Sequence, residues 1–571
     1  MRYRDCIFAV LLAALVFMAF GAAMSFGIVN LDDPIYLIQR APDYGWKWAF
    51  TWTGDGMWTP LTWLSHWADR SLFGENWSNH HIHSLLLHGV GAALFYGLLR
   101  VLFRRSSCFA CLVAAALWAL HPLRVESVVW LASRKDVLST AFFVAALIVW
   151  FRWDGLGSCL AALLLLSLGG MAKSSVMVFP VFALAGDALV LGRHRAWYHY
   201  AFPVALSLGL AFEASAAQSQ GGAGFVSTLI PSWYRVLNAV CATTVYCGNL
   251  FLPNDLAAQC VLRFPEPPRF SSVGLAVAVL AAAYAVGFVR RCVSEKRVLR
   301  DPVMAGIAVF FISLVPFLGL VGFGCHSFAD RFTILPSIGL SLAVLGFAER
   351  TPIRFRPFCT GALATAAAVL AVQTSRQVAY WRSDETLFSH TLAVDGGRNA
   401  VAHMALAVYY YEFPHDYAKI LPHAEGLMNC APWQQFMTAH LGPILLEAAL
   451  EVGRADLADD LYCWQYRWGR ERVKWLRSTG MDVDETETMK VSDAIRLAYR
   501  SGLLENARKL LGELQEDFPN HFAVRNLNYI IARREGDDAK TAMARKAAYA
   551  PDGGEPVLRN RWALAGNGQV N

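Results

Sequence analysis

The stretch IFAVLLAALVFMAFGAAMSFGIV, residues 7–29, is followed at once by NLDD, residues 30–33. About 20 consecutive apolar residues suffice for one helical crossing of a bilayer. Arg2 and Arg4 precede the run, as basic residues precede the apolar run of a cleaved signal peptide. The run is long enough to span and many more apolar runs follow it, so we interpret it as the first transmembrane helix.

The composition divides the chain into two regions. The chain has 571 residues, 56% of them hydrophobic, and a mean hydropathy of +0.36. Apolar runs recur to about residue 375, and the remainder is charged and amphipathic. We therefore expect an all-α protein, with a polytopic membrane domain at residues 1–380 and a soluble helical domain at residues 381–571.

The positions of basic residues predict which loops face the cytoplasm. They cluster in short loops between apolar runs, at Arg2/Arg4, Arg104/Arg105, Arg152, Arg193/Arg195, Arg290–Arg300 and Arg350–Arg356. Such clusters mark the cytoplasmic side, and their position between spans argues against nucleic-acid binding despite the formal charge of +6. If residues 235–252 are interfacial or re-entrant, about eleven spans place every cluster inside. The N-terminus is then cytoplasmic and the C-terminal domain lies outside.

With this topology, unusual polar residues collect on the outer face. They are the pair Asp32 and Asp33, the segment HPLRVESVVWLASRKD at residues 121–136, Lys173, and the pair Asp330 and Arg331. Ionised side chains near hydrocarbon are costly and usually have a task. Convergence of several such groups on one face predicts a site.

Each group also has a simpler interpretation. Asp32 and Asp33 could be a general base or metal ligands, or they could cap a short helix that begins at Pro34. Arg134 and Lys135 could clamp a phosphate, or they could be an interfacial belt at the start of the next span.

The other members of the cluster have comparable alternatives. His121, Glu126 and Asp136 complete the segment, and Glu126 could position an acceptor or a metal. Lys173, Asp330 and Arg331 could be further phosphate contacts or interfacial anchors.

Aromatic and imidazole side chains crowd the first outer loop. Six Trp residues lie between residues 44 and 67, where they could stack on sugars or mark the membrane interface. His81 and His88 share a helical face, but no carboxylate stands at a zinc-like spacing. This favours helix packing over a metal site.

Several motifs, in this order, resemble a known family. They are VNLDDPIYL (29–37), WTPLTWLSHWADRSLFG (58–74), HIHSLLLH (81–88), HPLRVESVVWLASRKDVLST (121–140), MAKSSVMVFP (171–180) and ADRFTILPSIGL (329–340). The chain resembles bacterial multi-spanning proteins with C-terminal tetratricopeptide repeats. These proteins are related to the transmembrane-and-TPR O-mannosyltransferases and, more distantly, to the protein O-mannosyltransferases of the GT-C superfamily.

The resemblance implies a GT-C-like core that takes its sugar from a polyprenyl phosphate. It assigns the catalytic base of an inverting transfer to Asp33 or Asp32, and the donor-phosphate contacts to Arg134, Lys135, Lys173 and Arg331. His121, Glu126, Asp136, Asp330 and His81 are candidates for positioning the acceptor. No cofactor is implied with certainty, and a divalent metal is left open. Ser133, Ser174 and Arg124 depart from the family's usual residues, which puts donor choice in question.

The C-terminal region has the spacing of helical repeats. Gly502 and Gly536 are 34 residues apart, which is the tetratricopeptide period, and Pro519 and Pro551 are 32 apart. Earlier helices at 400–411, 436–452 and 455–467 fit degenerate repeats. Stacked helix pairs would bind a protein partner in their concave face, or the region could be an ordinary helical bundle.

Together with the resemblance, these observations predict a multi-pass membrane glycosyltransferase that transfers a sugar, with mannose as one candidate. It would lie in the bacterial inner membrane with its C-terminal domain in the periplasm. Its partners would be membrane lipids, a polyprenyl-phosphate-linked sugar and an acceptor protein or glycolipid. The alternatives are a lipid-handling transporter and a non-catalytic scaffold. A transporter would place polar groups at the membrane midplane, whereas here they gather at one face.

Overall fold

A computed structural model describes residues 3–39, 45–51, 56–220, 230–320, 326–412 and 415–478, with isolated positions between 508 and 540. The described part is built from helices, as expected of an all-α protein. Their bounds are α1 Tyr3–Phe20, α2 Gly45–Trp48, α3 Pro60–Phe73, α4 Trp77–Leu102, α5 Cys108–Ala119, α6 Val125–Val129, α7 Arg134–Arg152, α8 Leu156–Ala172, α9 Phe179–Ala185, α10 Trp197–Gln220, α11 Ser232–Asn249, α12 Ser272–Glu295, α13 Pro302–Leu314, α14 Ile338–Arg350, α15 Arg356–Tyr380, α16 Asp384–Asp395, α17 Ala400–Glu412, α18 Tyr417–Met428, α19 Pro432–Thr438, α20 Gly442–Glu451 and α21 Ala455–Ser478.

Tighter and wider turns connect or extend these helices. The wide π-type turns are Ile35–Gln39 and Gly186–Leu191. The tighter 3-10 turns are Gly21–Ser25, Pro122–Arg124, Leu131–Ser133, Ser174–Val178, Val315–Phe317, Asp330–Thr333, Ile353–Phe355 and Ala439–Leu441. Turns of both kinds are frequent where a helix is interrupted for function. Four of them lie in the segments that the sequence singled out.

Polar caps fix where several membrane helices begin. The Ser107 hydroxyl accepts a hydrogen bond from the Ala110 backbone N–H at 3.0 Å, which starts α5. Asp301 does the same for α13, accepting from the Met304 N–H at 3.0 Å. A side-chain oxygen at this position satisfies a backbone donor that the helix leaves unpaired.

Among the described residues, six helices are long and apolar enough to cross a membrane. They are Tyr3–Ser25, Trp77–Leu102, Ser174–Leu191, Trp197–Gln218, Ser272–Glu295 and Ile353–Tyr380. A bent pair, Cys108–Ala119 with Pro122–Val129, would make seven, and Leu156–Ala172 and Pro302–Phe317 are shorter apolar helices. Multi-pass character is therefore confirmed. The count of eleven spans, the orientation and the bacterial inner membrane stay predictions.

Small residues let two of the apolar helices approach closely. Gly306 on α13 faces Gly339 at the start of α14, and a Cβ atom on either would collide with the other's carbonyl oxygen. Membrane helices associate largely through such close packing, because lipid leaves little hydrophobic drive between them.

The chain divides into two compact units. The first comprises residues Met1–Val29 and Ile35–Ser383, and the second comprises Asn30–Pro34 with the chain from Asp384 onward. The short segment Asn30–Pro34 thus groups with the C-terminal unit. Within that unit the Asn30 backbone N–H donates to Asp384 Oδ1 at 2.8 Å. The functional assignment of residues 1–380 and 381–571 stays a prediction.

The second unit contains helices α16 to α21. Of the predicted repeat helices, 400–411 matches α17, whereas 436–452 is divided by the 3-10 turn Ala439–Leu441. The Tyr411 hydroxyl donates to Glu447 Oε2 at 2.8 Å and so joins α17 to α20. Gly502, Pro519 and Pro551 lie outside the described residues, so the tetratricopeptide repeats there stay a prediction.

Candidate functional site

The segment 121–136 is a buried set of turns between two apolar helices. Helix α5 ends at Ala119, and Pro122, which has no backbone N–H, begins a 3-10 turn. The chain bends by 56° between α5 and Pro122–Val129. Every residue from 121 to 136 is buried. Because an unpaired buried charge is strongly unfavourable, the charged residues here must find partners.

A small pocket lies against α7, just beyond the end of α8. Counted to its open mouth it encloses about 180 Å³ between the side chains, but this space is too narrow to hold a water molecule until the lining moves apart. Its charged and polar lining is Asp136, Lys173, Ser175 and Arg331, and its apolar lining is Phe317, Phe332, Ile334 and Leu335. The Phe317 and Phe332 rings stack with centroids 5.1 Å apart. The pocket therefore presents both a charged wall and an apolar wall.

Lys173 and Asp136 form the first ion pair of the pocket. Lys173 Nζ lies 2.5 Å from Asp136 Oδ1, and both side chains are buried. The ammonium group also lies 5.7 Å from the Phe332 ring centroid. Asp136 Oδ2, in contrast, has no hydrogen-bond partner within the described part of the protein. The pair thus keeps one carboxylate oxygen available to a ligand.

Arg331 and Glu126 form the second ion pair. The Arg331 backbone N–H donates to Glu126 Oε2 at 2.9 Å, and its guanidinium group donates to Glu126 Oε1. The guanidinium lies 5.3 Å from the Trp130 ring centroid and 4.9 Å from that of Phe332. Stacking on aromatic faces holds an arginine at low entropic cost, and Arg331 Nη2 also lies 3.2 Å from His326 Nε2.

The two pairs balance their charges. Lys173 and Arg331 contribute two positive charges, and Asp136 and Glu126 contribute two negative charges. An anion that enters the pocket must therefore share each cation with a carboxylate.

Arg134 lies away from this pocket in a different network. Its side chain is fully buried and lies 2.5 Å from Asp69 Oδ2. It also donates to the His80 backbone carbonyl at 2.8 Å and to the Ser84 hydroxyl at 3.1 Å. Arg134 thereby links α3, α4 and α7. Its contact with a donor phosphate stays a prediction.

Asp69 is held as a carboxylate by this network. Burial alone would raise the pKa of Asp69, but the hydrogen bond with His83 and the charge of Arg134 hold that pKa below its usual value. His83 Nδ1 lies 2.7 Å from Asp69 Oδ1. Sequence reasoning overlooked Asp69, although an acidic residue in the otherwise aromatic motif 58–74 was a usable signal.

Lys135 reaches an aromatic cluster. Lys135 Nζ donates to the Tyr36 hydroxyl at 3.3 Å and lies 4.9 Å from its ring centroid. The Tyr36 ring stacks on Trp63 at 4.1 Å, and Trp48 meets Trp63 at 5.0 Å. Trp63 is buried and Trp48 is half-buried, whereas Trp46 is 55% exposed, as an interfacial residue would be.

The predicted histidines make packing contacts. His81 Nε2 lies 3.2 Å from the Gly27 carbonyl oxygen. His121 Nδ1 accepts from the Leu123 backbone N–H at 3.2 Å, so its Nε2 carries the proton and donates to the Leu250 carbonyl at 3.1 Å. Among the described residues no group of three or more His, Cys, Asp or Glu side chains could hold a metal ion.

Asp330 differs electrostatically from its neighbour Arg331. Burial, and next the charge of Glu126, raise the pKa of Asp330 well above its usual value, even though Arg124 and Arg331 oppose this. Its carboxyl group is therefore protonated over a wider range of pH than an exposed one. The Asp330 backbone carbonyl accepts from the Thr333 hydroxyl at 2.7 Å, which shapes the turn that presents Arg331.

Asp32 and Asp33 belong to the second unit. Asp33 is 1% exposed, and Asp32 is partly exposed. Asp32 precedes Asp33 and Pro34, which begin a helical turn that continues through Ile35–Gln39. Their assignment as a catalytic base stays a prediction.

Buried polar atoms without a hydrogen-bond partner are frequent around the predicted outer face. Within the described part of the first unit they include Thr59 Oγ1, Trp63 Nε1, both ring nitrogens of His66, Ser127 Oγ, Trp130 Nε1, Ser133 Oγ, Asp136 Oδ2, Thr140 Oγ1 and Ser175 Oγ. Folded proteins satisfy nearly all such atoms, so a concentration of exceptions marks a place for a polar ligand or ordered water. Ser175 was not among the predicted site residues, although it stands in the motif MAKSSVMVFP.

The fold and this pocket define a multi-pass helical membrane protein with a buried, charge-paired site beside an apolar wall. Two proteins show similarity to the chain. One is the protein O-mannosyl-transferase F38B6.6 of Caenorhabditis elegans, 22% identical over 378 residues, which cover 64% of this chain and 53% of that protein. The other is the protein O-mannosyl-transferase tmtc2 of Xenopus laevis, 37% identical over 83 residues, or 14% of this chain and 10% of that protein.

The chain thus spans about half the length of the first relative and a tenth of the second. No family model matches the chain. No solved structure matches it either.

Proposed function

We propose that the protein is a membrane glycosyltransferase that moves a sugar, mannose by analogy with the names of its relatives, from a polyprenyl phosphate to a hydroxyl group of an acceptor protein. The observation that carries the proposal is the two-sided pocket, in which Lys173 and Arg331 stand beside Phe317 and Phe332. A lipid phosphate has the same two parts, an anionic head and an apolar chain.

The cations would act on the leaving group. As the bond between the anomeric carbon and the phosphate oxygen breaks, negative charge grows on the phosphate, and fixed positive groups stabilise that charge. Lys173 supplies a point charge and Arg331 a planar fork, which together hold a phosphate in one orientation. The paired carboxylates keep the site neutral before the phosphate binds.

The base would come from the acidic pair. In the proposed step the acceptor hydroxyl oxygen attacks the anomeric carbon, the carbon–oxygen bond to the phosphate breaks, and the hydroxyl proton passes to Asp33 or Asp32. The lipid phosphate leaves with the bonding electron pair. One displacement of this kind inverts the anomeric carbon. This assignment rests on the motif VNLDDPIYL at residues 29–37.

The test is transfer by the purified full-length protein. We expect release of polyprenyl phosphate from polyprenyl-phosphate mannose and a mass gain of one hexose on acceptor protein. Asp33→Asn, alone or with Asp32→Asn, should abolish transfer while expression and thermal stability persist. Asp154→Asn is the matched control, because the Asp154 side chain is 77% exposed.

Two results would overturn the proposal. Unchanged transfer in the double Asn variant would remove the acidic pair from the chemistry. Lipid binding by the wild type without transfer to any acceptor would favour a lipid-handling protein instead.

A further inference from the structure

Helix α3 carries a row of buried polar groups that the proposed chemistry does not use. Thr59, Trp63 and His66 are spaced by four and three residues, so they share one face of the helix. They are 2%, 2% and 0% exposed. The Thr59 hydroxyl, the Trp63 indole N–H and both His66 ring nitrogens have no hydrogen-bond partner within the described part of the protein.

Thr59 is unusual among these residues because it occupies the N-cap position of α3. It is the residue before Pro60 at the start of α3, a position at which a hydroxyl normally accepts a hydrogen bond from the helix. Thr59 makes no such capping bond. Its hydroxyl is therefore buried without its ordinary structural role. Each buried polar atom left unpaired destabilises the fold, so this row has a partner other than the helix.

The hydrogen-bond donors and acceptors of the row indicate which kind of ligand would bind there. Burial, followed by the charge of Arg134, holds the pKa of His66 well below its usual value, so the imidazole is neutral. A neutral imidazole has one donor and one acceptor, a threonine hydroxyl offers both, and an indole N–H is a donor. Neighbouring hydroxyl groups of a sugar ring also donate and accept. A phosphate at neutral pH mainly accepts and would leave the acceptors of this row unpaired.

Helix α3 is hydrogen-bonded to the residue before Lys173 in the charged pocket. The Thr62 hydroxyl, on the same helix, donates to the Ala172 carbonyl at 3.0 Å. The next residue along, Lys173, holds Asp136 in the pocket. A group attached directly to a phosphate between Lys173 and Arg331 would therefore lie within reach of α3.

Tyr36 packs on two members of the row. Its ring stacks on Trp63 at 4.1 Å and lies 5.6 Å from the His66 ring. Tyr36 stands in the π-type turn Ile35–Gln39. Turns of this width are uncommon and recur at functional sites. Rotation of the Tyr36 side chain would remove a ring that packs on Trp63 and His66.

We propose that Thr59, Trp63 and His66 form the subsite for the sugar ring of the lipid-linked donor, with Tyr36 packed on two of them until the donor binds. The inference rests on the proposed function, because it takes the donor to be a sugar on a lipid phosphate. Trp63 and His66 would recognise hydroxyl groups of the ring and set which sugar is accepted.

The test compares two lipids that differ only in the sugar. Binding of polyprenyl-phosphate mannose and of polyprenyl phosphate is titrated to the full-length protein in detergent. Trp63→Phe removes the indole N–H and keeps an aromatic ring, and His66→Phe removes the imidazole nitrogens. Each should weaken binding of the sugar-bearing lipid roughly three- to tenfold, the value of about one hydrogen bond. Binding of the sugar-free lipid should not change.

Trp46→Phe is the control, since Trp46 belongs to the same stretch but is 55% exposed. Equal losses of affinity for both lipids would overturn the inference. No loss for either lipid would also overturn it, because the row would then bind water. A rise only in the KM for the acceptor would overturn it as well. If the wild type binds neither lipid, the proposed function itself fails, which is a different result from an unaffected variant.

Discussion

Lys173 Nζ and Asp136 Oδ1 lie 2.5 Å apart in the pocket, with both side chains buried. Lys173 follows α8 and Asp136 lies in the first turn of α7. The contact therefore fixes the end of one apolar helix against the start of another. It also places a cation that is already oriented where an anionic head group would bind.

Lys173→Gln should reduce the affinity for polyprenyl phosphate about tenfold or more, because a charge-assisted contact is lost while the Asp136 carboxylate still repels the phosphate. The measurement is a binding titration in detergent. Lys47→Gln is the control, since Lys47 is exposed.

Loss of stability must be separated from loss of binding. The single variant leaves Asp136 buried without its cation, which destabilises the fold. The double variant Lys173→Gln/Asp136→Asn removes both charges and should recover much of the thermal stability. If the double variant also recovers full affinity for the lipid phosphate, Lys173 is only structural.

Arg331→Lys should weaken lipid-phosphate binding although it keeps the positive charge. Lysine cannot reproduce the planar fork toward Glu126 or the stacking on Trp130 and Phe332. We expect roughly a three- to tenfold loss of affinity in the same titration. Arg297→Lys, at a side chain that is 72% exposed, should have no effect. Full affinity in Arg331→Lys would show that charge alone suffices.

The residues of the site were more predictable than the ion pairs that they form with one another. Lys173 and Arg331 stand out locally, as cations beside long apolar runs. Their carboxylate partners lie 37 and 205 residues away in the chain. Helical periodicity carries no information about contacts over such separations, so the pairing Lys173–Asp136 and Arg331–Glu126 needed the structure.

The sequence likewise could not show that the neighbouring cations Arg134 and Lys135 have different partners. Arg134 and Lys135 read alike in the sequence, at the start of one helix. Adjacent residues on a helix point about 100° apart. Arg134 is accordingly turned to Asp69 and Lys135 to Tyr36. The all-α class, in contrast, follows from apolar runs alone, which is why it was predictable.

Asp330→Asn should be at least as stable as the wild type at neutral pH. The pKa of Asp330 is raised by burial and by Glu126, so the folded protein binds this proton more tightly than the unfolded chain does. The wild type is then most stable, relative to the variant, below the ordinary carboxyl pKa of about 4. That advantage is lost as the pH rises from there toward the raised folded value.

The measurement is the melting temperature of both proteins in detergent from about pH 4 to pH 8, a range that begins at the ordinary carboxyl pKa. The melting temperature of the wild type should fall relative to that of the Asn variant as the pH rises. The opposite trend, with the variant increasingly less stable, would show that Asp330 is an ionised partner of Arg331 or Arg124.

Arg134→Leu and Asp69→Leu should each destabilise the protein by about 3–5 kcal/mol, because each leaves a buried charge without its partner. The double variant should be less destabilised than the sum of the two singles, since it removes both charges together. A double-mutant cycle on unfolding in detergent measures this coupling. Arg70→Ala with Glu75→Ala is the control pair from the same region, because the Glu75 side chain is 47% exposed and such pairs contribute about 0–1 kcal/mol. If Arg134→Leu instead retains its stability and loses only lipid-phosphate binding, Arg134 is a donor contact and its network with Asp69 is secondary.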